Sequence, residues 1–180
     1  MTSVCVYCSS SLTVPAHYLR LASDVGAAIA RRGWELISGG GRVSMMGAVA
    51  HAARSGGART VGVIPRALMD REVADTGSDE LLVTDTMRER KALMDAHADA
   101  FLALPGGIGT CEELFEAWTS RALGIHAKPV VVLDPDGHYG LLLDWLGTLT
   151  ERGFLPTEGL ATLQVHTSLD AALDACALTP

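Results

Sequence analysis

The sequence predicts an α/β fold: a doubly wound parallel sheet of six or seven strands, covered by helices on both faces. Three observations predict it. Short apolar, β-branched runs alternate with helix-period segments throughout the 180 residues, and no linker, repeat or low-complexity segment interrupts them. Two of these runs, residues 34–37 and 100–104, lead straight into glycine-rich turns followed by helical patterns. A chain of this length fits one domain, spanning 1–180, and can bury roughly 70% of the surface its unfolded form would expose.

Residues 4–7 read as a buried first strand, followed by the hydroxyl-rich Ser9-Ser10-Ser11 and Pro15. Residues 17–32 have helical periodicity, with Leu19, Ala22, Val25, Gly26 and Ile29 on one stripe and Gly33 as the stop. A second strand, 34–37, runs into Ser38-Gly39-Gly40-Gly41 and then a helix over 45–54. Residues 60–64 are the third strand, ended by Pro65, and 66–80 are irregular or briefly helical. A strand over 81–84 precedes a helix to about Ala98, capped by Asp85 or Thr86. After the strand at 100–104 and its helix come a Val-rich strand (129–133), the turn Asp134-Pro135-Asp136-Gly137 and an amphipathic helix (139–152). A last strand near 163–165 and a closing helix over 168–177, capped by Ser168, complete a Rossmann-like order.

The chemistry concentrates in Pro105-Gly106-Gly107-Ile108-Gly109-Thr110-Cys111-Glu112-Glu113. A strand, a tight turn and a helix start expose unpaired N–H groups, and glycines let a ligand approach them, so the turn is a ready anion site. Phosphate is the obvious anion. A structural alternative stands beside it: Thr110 and Glu113 form T-x-x-E, a capping box that any strand-to-helix turn can carry. The box accounts for neither the three glycines nor the adjacent carboxylates Glu112 and Glu113, which a bound phosphate would repel. The helix before this strand opens with Arg88, Glu89, Arg90 and Lys91, although cations in a first turn oppose the helix dipole. Either a site accounts for that cost, or this is a solvated charged turn paired through Glu89. The triplet Gly39–Gly41 is a weaker signal: a plain tight turn, a ligand contact or the floor of a pocket.

These residues resemble a known family. Residues 105–113 are similar to the PGGxGTxxE signature of the Lonely Guy (LOG) family, cytokinin riboside 5′-monophosphate phosphoribohydrolases often mislabelled lysine decarboxylases. Met87-Arg88-Glu89-Arg90-Lys91 resembles its second motif, and segments at 5–11, 38–47, 62–65 and 123–129 follow in the family's order, covering nearly the whole chain. The resemblance implies Arg90 and Glu113 as catalytic residues. It implies a substrate-binding set of Glu72, Arg90, Lys91, Gly107, Ile108, Gly109, Thr110, Cys111, Glu112, Glu113 and Thr119. Thr119 enters by resemblance alone, because helical spacing puts it well off the face of Glu113. The implied reaction is hydrolysis of an N6-substituted AMP to free base and ribose 5-phosphate, with no cofactor and no metal, in a homodimer or larger homo-oligomer. The sequence departs from the usual pattern at Arg42, Ser44 (often glycine), Arg88 (commonly histidine) and Ile108 (often tyrosine).

Composition sets the bounds. A net charge of −7 argues against nucleic acid or an anionic membrane as partner, and 48% hydrophobic content leaves apolar surface to spare for an oligomer interface. The N-terminal residues lack a signal-peptide pattern and no run is long enough to span a bilayer, so the expected location is cytoplasmic. Cys5-x-x-Cys8 has no second cysteine pair or histidine pair to complete a metal site. Pyridoxal-phosphate decarboxylation needs a Schiff-base lysine, and the chain has only Lys91 and Lys128. A nucleotide-binding or carrier module that grips phosphate without turnover is the rival from another class.

Overall fold

The computed structural model describes residues 1–177. Seven strands form one sheet in which every pairing is parallel. In chain order these are β1 (Ser3–Tyr7), β2 (Glu35–Ser38), β3 (Thr60–Pro65), β4 (Glu80–Thr84), β5 (Ala100–Ala103), β6 (Val130–Leu133) and β7 (Leu163–His166). Their order across the sheet is β4-β3-β2-β1-β5-β6-β7. The winding direction reverses between β1 and β5, so a crevice opens beyond the carboxyl ends of those two strands.

Alternating side chains on the strands build a core on each face. Val4, Val6, Leu36 and Leu102 pack with Val25 and Ile29 of α1 (Ala16–Arg31), Met45 and Val49 of α2 (Ser44–Ser55) and Leu173 of a C-terminal helix, Leu169–Cys176. Cys5, Ile37, Val61 and Phe101 pack on the other face with Met94 of α3 (Met87–His97), Leu114 and Trp118 of α4 (Ile108–Ala122) and Leu146 of α5 (Gly140–Glu151). Between α5 and β7 lies α6 (Thr157–Ala161), so the C-terminal helix is α7. Cys5 and Cys8 fall into opposite cores as free thiols, and burial pushes both thiol pKa values up. A chelating pair is therefore out of reach.

Three local expectations need correction. The T-x-x-E capping box does not form: α4 begins at Ile108 with Gly107 as its N-cap, and no side chain caps it. Because Gly107 is extended (φ −96°, ψ −154°), the helix starts early and Thr110 already lies inside its first turn. A capping box forms on α3 instead, between Thr86 and Glu89, so Glu89 serves the helix start and not the arginines. Ser168 stands at the N-cap of α7 but makes no capping bond. The five residues of α6 were too few to show a period in the sequence.

The glycine triplet after β2 does not itself line the crevice but packs against residues that do. A Cβ on Gly39 would sit 2.1 Å from Nη2 of Arg90, so that position must stay bare for the arginine to lie there. Gly40 has a left-handed backbone (φ +72°) that side chains resist, while a Cβ on Gly41 would press on Met46 and Glu72. Ser44, where the family often has glycine, is also left-handed (φ 53°), which costs about 1–2 kcal/mol for a non-glycine residue. Its hydroxyl donates to the carbonyl of Ser11 (2.5 Å) and ties together the two loops that border the crevice.

No described helix is long and apolar enough to cross a membrane.

Candidate active site

The crevice is a cleft of about 710 Å³ above the carboxyl ends of the strands. Its α4 edge is the turn at 107–110. Gly107 and Gly109 are exposed, and a Cβ on either would meet no protein atom within 4 Å. No packing or backbone requirement of the protein itself calls for glycine at these two positions. Their effect is to leave the N–H groups of the first helical turn uncovered toward the cleft. Gly106 differs: a Cβ there would lie 2.1 Å from Oγ1 of Thr110, which packs beneath it and is buried.

The turn is braced from behind. Asp134, at the end of β6, accepts from the amides of His138 (2.7 Å) and Tyr139 (2.9 Å). The Tyr139 hydroxyl then donates to the carbonyl of Leu104 (2.8 Å), and Nε2 of His138 lies 2.9 Å from the carbonyl of Gly106. With those carbonyls held, the amides that follow keep a fixed direction.

Opposite the turn stands Arg90, only 4% exposed. Its Nε donates to the carbonyl of Val63 on β3 (3.1 Å), its Nη2 to the carbonyl of Gly39 (2.8 Å), and Nη2 lies 3.5 Å from Oε2 of Glu72. The first-turn cation is thus stabilised by two carbonyls and a carboxylate, which outweigh the dipole penalty.

Glu113 lies inside α4, past its uncapped first turn, and lines the same cleft as Arg90. Its carboxyl pKa is pushed up to about 7, first by burial, with Arg90 opposing and Glu112 and Glu72 adding to the rise. A carboxylate that exchanges its proton near neutrality is suited to general-base chemistry. Glu112 is treated differently: Lys91 pairs with it and with Glu116, spreading one positive charge over two carboxylates.

The cleft brings together Glu72, Arg90, Gly107, Ile108, Gly109, Thr110, Glu112 and Glu113 of the expected set. Three residues lie apart. Lys91 faces a separate, smaller hollow between α3 and α4. Cys111 and Thr119 line neither cavity, and Thr119 is exposed on α4. The cleft also takes in Ser9, Ser10 and Ser11, Met46 and Arg71. The serine run at the end of the first strand was a usable signal for this, since loops at the carboxyl ends of switch-point strands border the crevice. Nothing local marked Arg71.

The raised carboxyl fixes the sign of a stability test. Between the ordinary carboxylate value of 4.5 and about 7, the folded chain keeps the Glu113 proton that the unfolded chain has lost. This contribution to stability therefore declines as pH rises through that window. Glu113→Gln removes the titration, so denaturant unfolding should show the variant gaining stability over wild type from pH 4.5 to 8. A pH-independent difference would contradict the desolvated carboxyl.

Comparison with known proteins places the chain in a family. A family profile described as "Possible lysine decarboxylase" matches residues 46–176. A Mycobacterium tuberculosis protein named cytokinin riboside 5′-monophosphate phosphoribohydrolase is 54% identical over 175 residues, 97% of this chain and 93% of its own. Its Arabidopsis thaliana namesake LOG4 is 44% identical over 154 residues, 86% of this chain and 72% of its own. Among solved structures, the molybdenum cofactor carrier protein of Chlamydomonas reinhardtii superposes with a TM-score of 0.70 over 97% of this chain and 94% of that one, at 21% identity, a likeness of fold alone. The decarboxylase label finds no lysine to serve it, since Lys91 is held by Glu112 and Glu116 and Lys128 donates to the carbonyl and carboxylate of Asp95. With the profile spanning most of the chain and the relatives matching nearly all of it, the chain belongs to the LOG family.

Proposed function

We propose that the protein hydrolyses the N-glycosidic bond of cytokinin riboside 5′-monophosphates, N6-substituted AMPs, releasing the free base and ribose 5-phosphate. The observation that carries this is the pairing of an uncovered helix start, with no protein reason for Gly107 or Gly109 to lack a side chain, and a half-buried acid farther along the same helix. The phosphate sits on the amides of residues 107–110 and the Thr110 side of the turn. The nucleotide then runs across the sheet toward β3, a distance of three strand spacings, roughly 14 Å. That direction leads past Glu113 and Arg90 at the sugar to Glu72, Arg71 and Met46 at the base.

The transition state carries positive charge on the ribose, so a facing carboxylate stabilises it while activating water. The water oxygen bonds to the anomeric carbon, its proton passes to Glu113, and the bonding pair of the glycosidic bond leaves with the base, which takes a proton from solvent. Arg90 fixes Glu72 and holds positive charge near Glu113, which keeps the ionised form accessible. The step requires neither a metal nor an organic cofactor. Glycoside hydrolases generally share the work between two carboxyl groups, and besides Glu113 the cleft is lined by Glu72 and by Glu112, which Lys91 engages.

The protein acts as a homodimer or larger homo-oligomer with its site near the subunit boundary. Ile108, at the phosphate turn, is 90% exposed, and Leu123 and Ile125, beyond the end of α4, are each 72% exposed. Thr119 is outside the cleft of its own chain, so a Thr119 contact to substrate would come from a second copy. Sedimentation at micromolar concentration should give at least a dimer; a monomer would contradict this assembly.

The activity test is direct. Incubation with N6-isopentenyladenosine monophosphate should release free base, with kcat/KM rising with pH through about 7 as Glu113 ionises. Glu113→Gln should lower turnover by ~10²–10⁴ while nucleotide binding persists. Binding with no base released by wild type would leave a carrier in place of an enzyme, and undiminished turnover in Glu113→Gln would remove that residue from the mechanism.

A further inference from the structure

Glu113 is a shared wall between two cavities. One is the nucleotide cleft; the other is the hollow of about 170 Å³ between α3 and α4. Tyr7 and Phe101 line that hollow, their rings stacked with centroids 5.9 Å apart, and His126 lies beside Phe101 (5.5 Å between ring centroids). Charged and hydroxyl groups also line it, among them Arg88, Asp95 and Ser120.

His126 is one of the residues that line the hollow. Its Nε2 lies 3.1 Å from the carbonyl of Ala117, an acceptor, so Nε2 carries the hydrogen and Nδ1 is left with a lone pair. Burial pushes the imidazole pKa down and favours this neutral tautomer. Nδ1 is buried and has no hydrogen-bond partner among the described residues. The hollow, about 170 Å³, far exceeds the roughly 10–15 Å³ that one water needs. Its ionic lining suits water better than an aliphatic substituent.

We propose that this hollow is a water reservoir serving Glu113 from the side away from the nucleotide, delivering the attacking water and draining the proton it yields. The proposal rests on the hydrolase reading. With phosphate on the first turn of α4 and the base extended toward β3, the bound nucleotide covers the cleft side of Glu113. The face of the anomeric carbon opposite the departing base then looks toward α4 and the hollow behind it. Water arriving there bonds to the carbon as the base leaves with the glycosidic electron pair. Its proton passes to Glu113 and then along the reservoir to bulk solvent, while the base is protonated from solvent on the cleft side.

Filling the hollow tests this without touching the cleft. Ala92, on α3, is exposed and lines the hollow, so Ala92→Phe adds bulk without disturbing the core; Ala117→Leu fills it from α4. Thermal unfolding of both full-length variants shows whether they fold, and Ala92→Phe decides the matter if Ala117→Leu does not. With N6-isopentenyladenosine monophosphate, the expected result is at least a tenfold fall in kcat with KM within twofold of wild type. Nucleotide affinity, measured with each substitution combined with Glu113→Gln, should be unchanged. An unaltered kcat overturns the reservoir. So does a raised KM with kcat intact, which would mean the hollow receives part of the substrate. Failure of wild type to release base would defeat the hydrolase reading, and the reservoir with it, and is distinguishable because it needs no variant.

Discussion

A buried guanidinium organises this molecule. Arginine cannot shed its charge at any physiological pH, and taking it out of water costs several kcal/mol unless its donors are satisfied. Arg90 meets that demand through the carbonyls of Val63 and Gly39, with Glu72 alongside. One side chain on α3 thereby ties together β3, the turn after β2 and the loop after β3, the last of which lines the cleft. The bare Cα of Gly39 follows from the same constraint, since any side chain there would occupy the guanidinium's place. The same charge lies near enough to Glu113 to oppose the rise in its carboxyl pKa.

The carboxylates that follow the uncapped start of α4 are handled by two separate means. Lys91 engages Glu112 and Glu116 and turns their charge away from the turn. Glu113 has no such cation to itself, and burial pushes its carboxyl pKa up to about 7. Meanwhile the turn after β6 fixes the carbonyls of Leu104 and Gly106 through Tyr139 and His138. The amides at the start of α4 are thus aimed by residues of the turn after β6.

Much of this was legible in the sequence because periodicity and glycine turns are local signals. The alternation of strands and helices gave the parallel sheet, and three glycines in the turn at 105–110 marked the helix start that borders the cleft. What could not be read was the partner of each side chain. T-x-x-E at 110–113 had the pattern of a capping box, yet the helix start is set by the extended backbone of Gly107. Arg90 and Lys91 are neighbours in sequence with opposite fates, one turned toward Glu72 and the other toward acids on α4, because adjacent helical positions point about 100° apart. Arg71 reaches the cleft from an irregular segment that has no period to read. Thr119 came from family likeness, and it stands exposed on α4 outside the cleft.

The central claim is geometric: a ribosyl phosphate held by the start of α4, with its anomeric carbon facing Glu113. A crystal structure of Glu113→Gln with N6-isopentenyladenosine monophosphate tests it most directly. The account predicts phosphate oxygens within hydrogen-bonding distance of the amides of residues 107–110, and residue 113 beside the anomeric carbon. A nucleotide whose sugar lies away from residue 113, or whose phosphate is bound elsewhere, would contradict it.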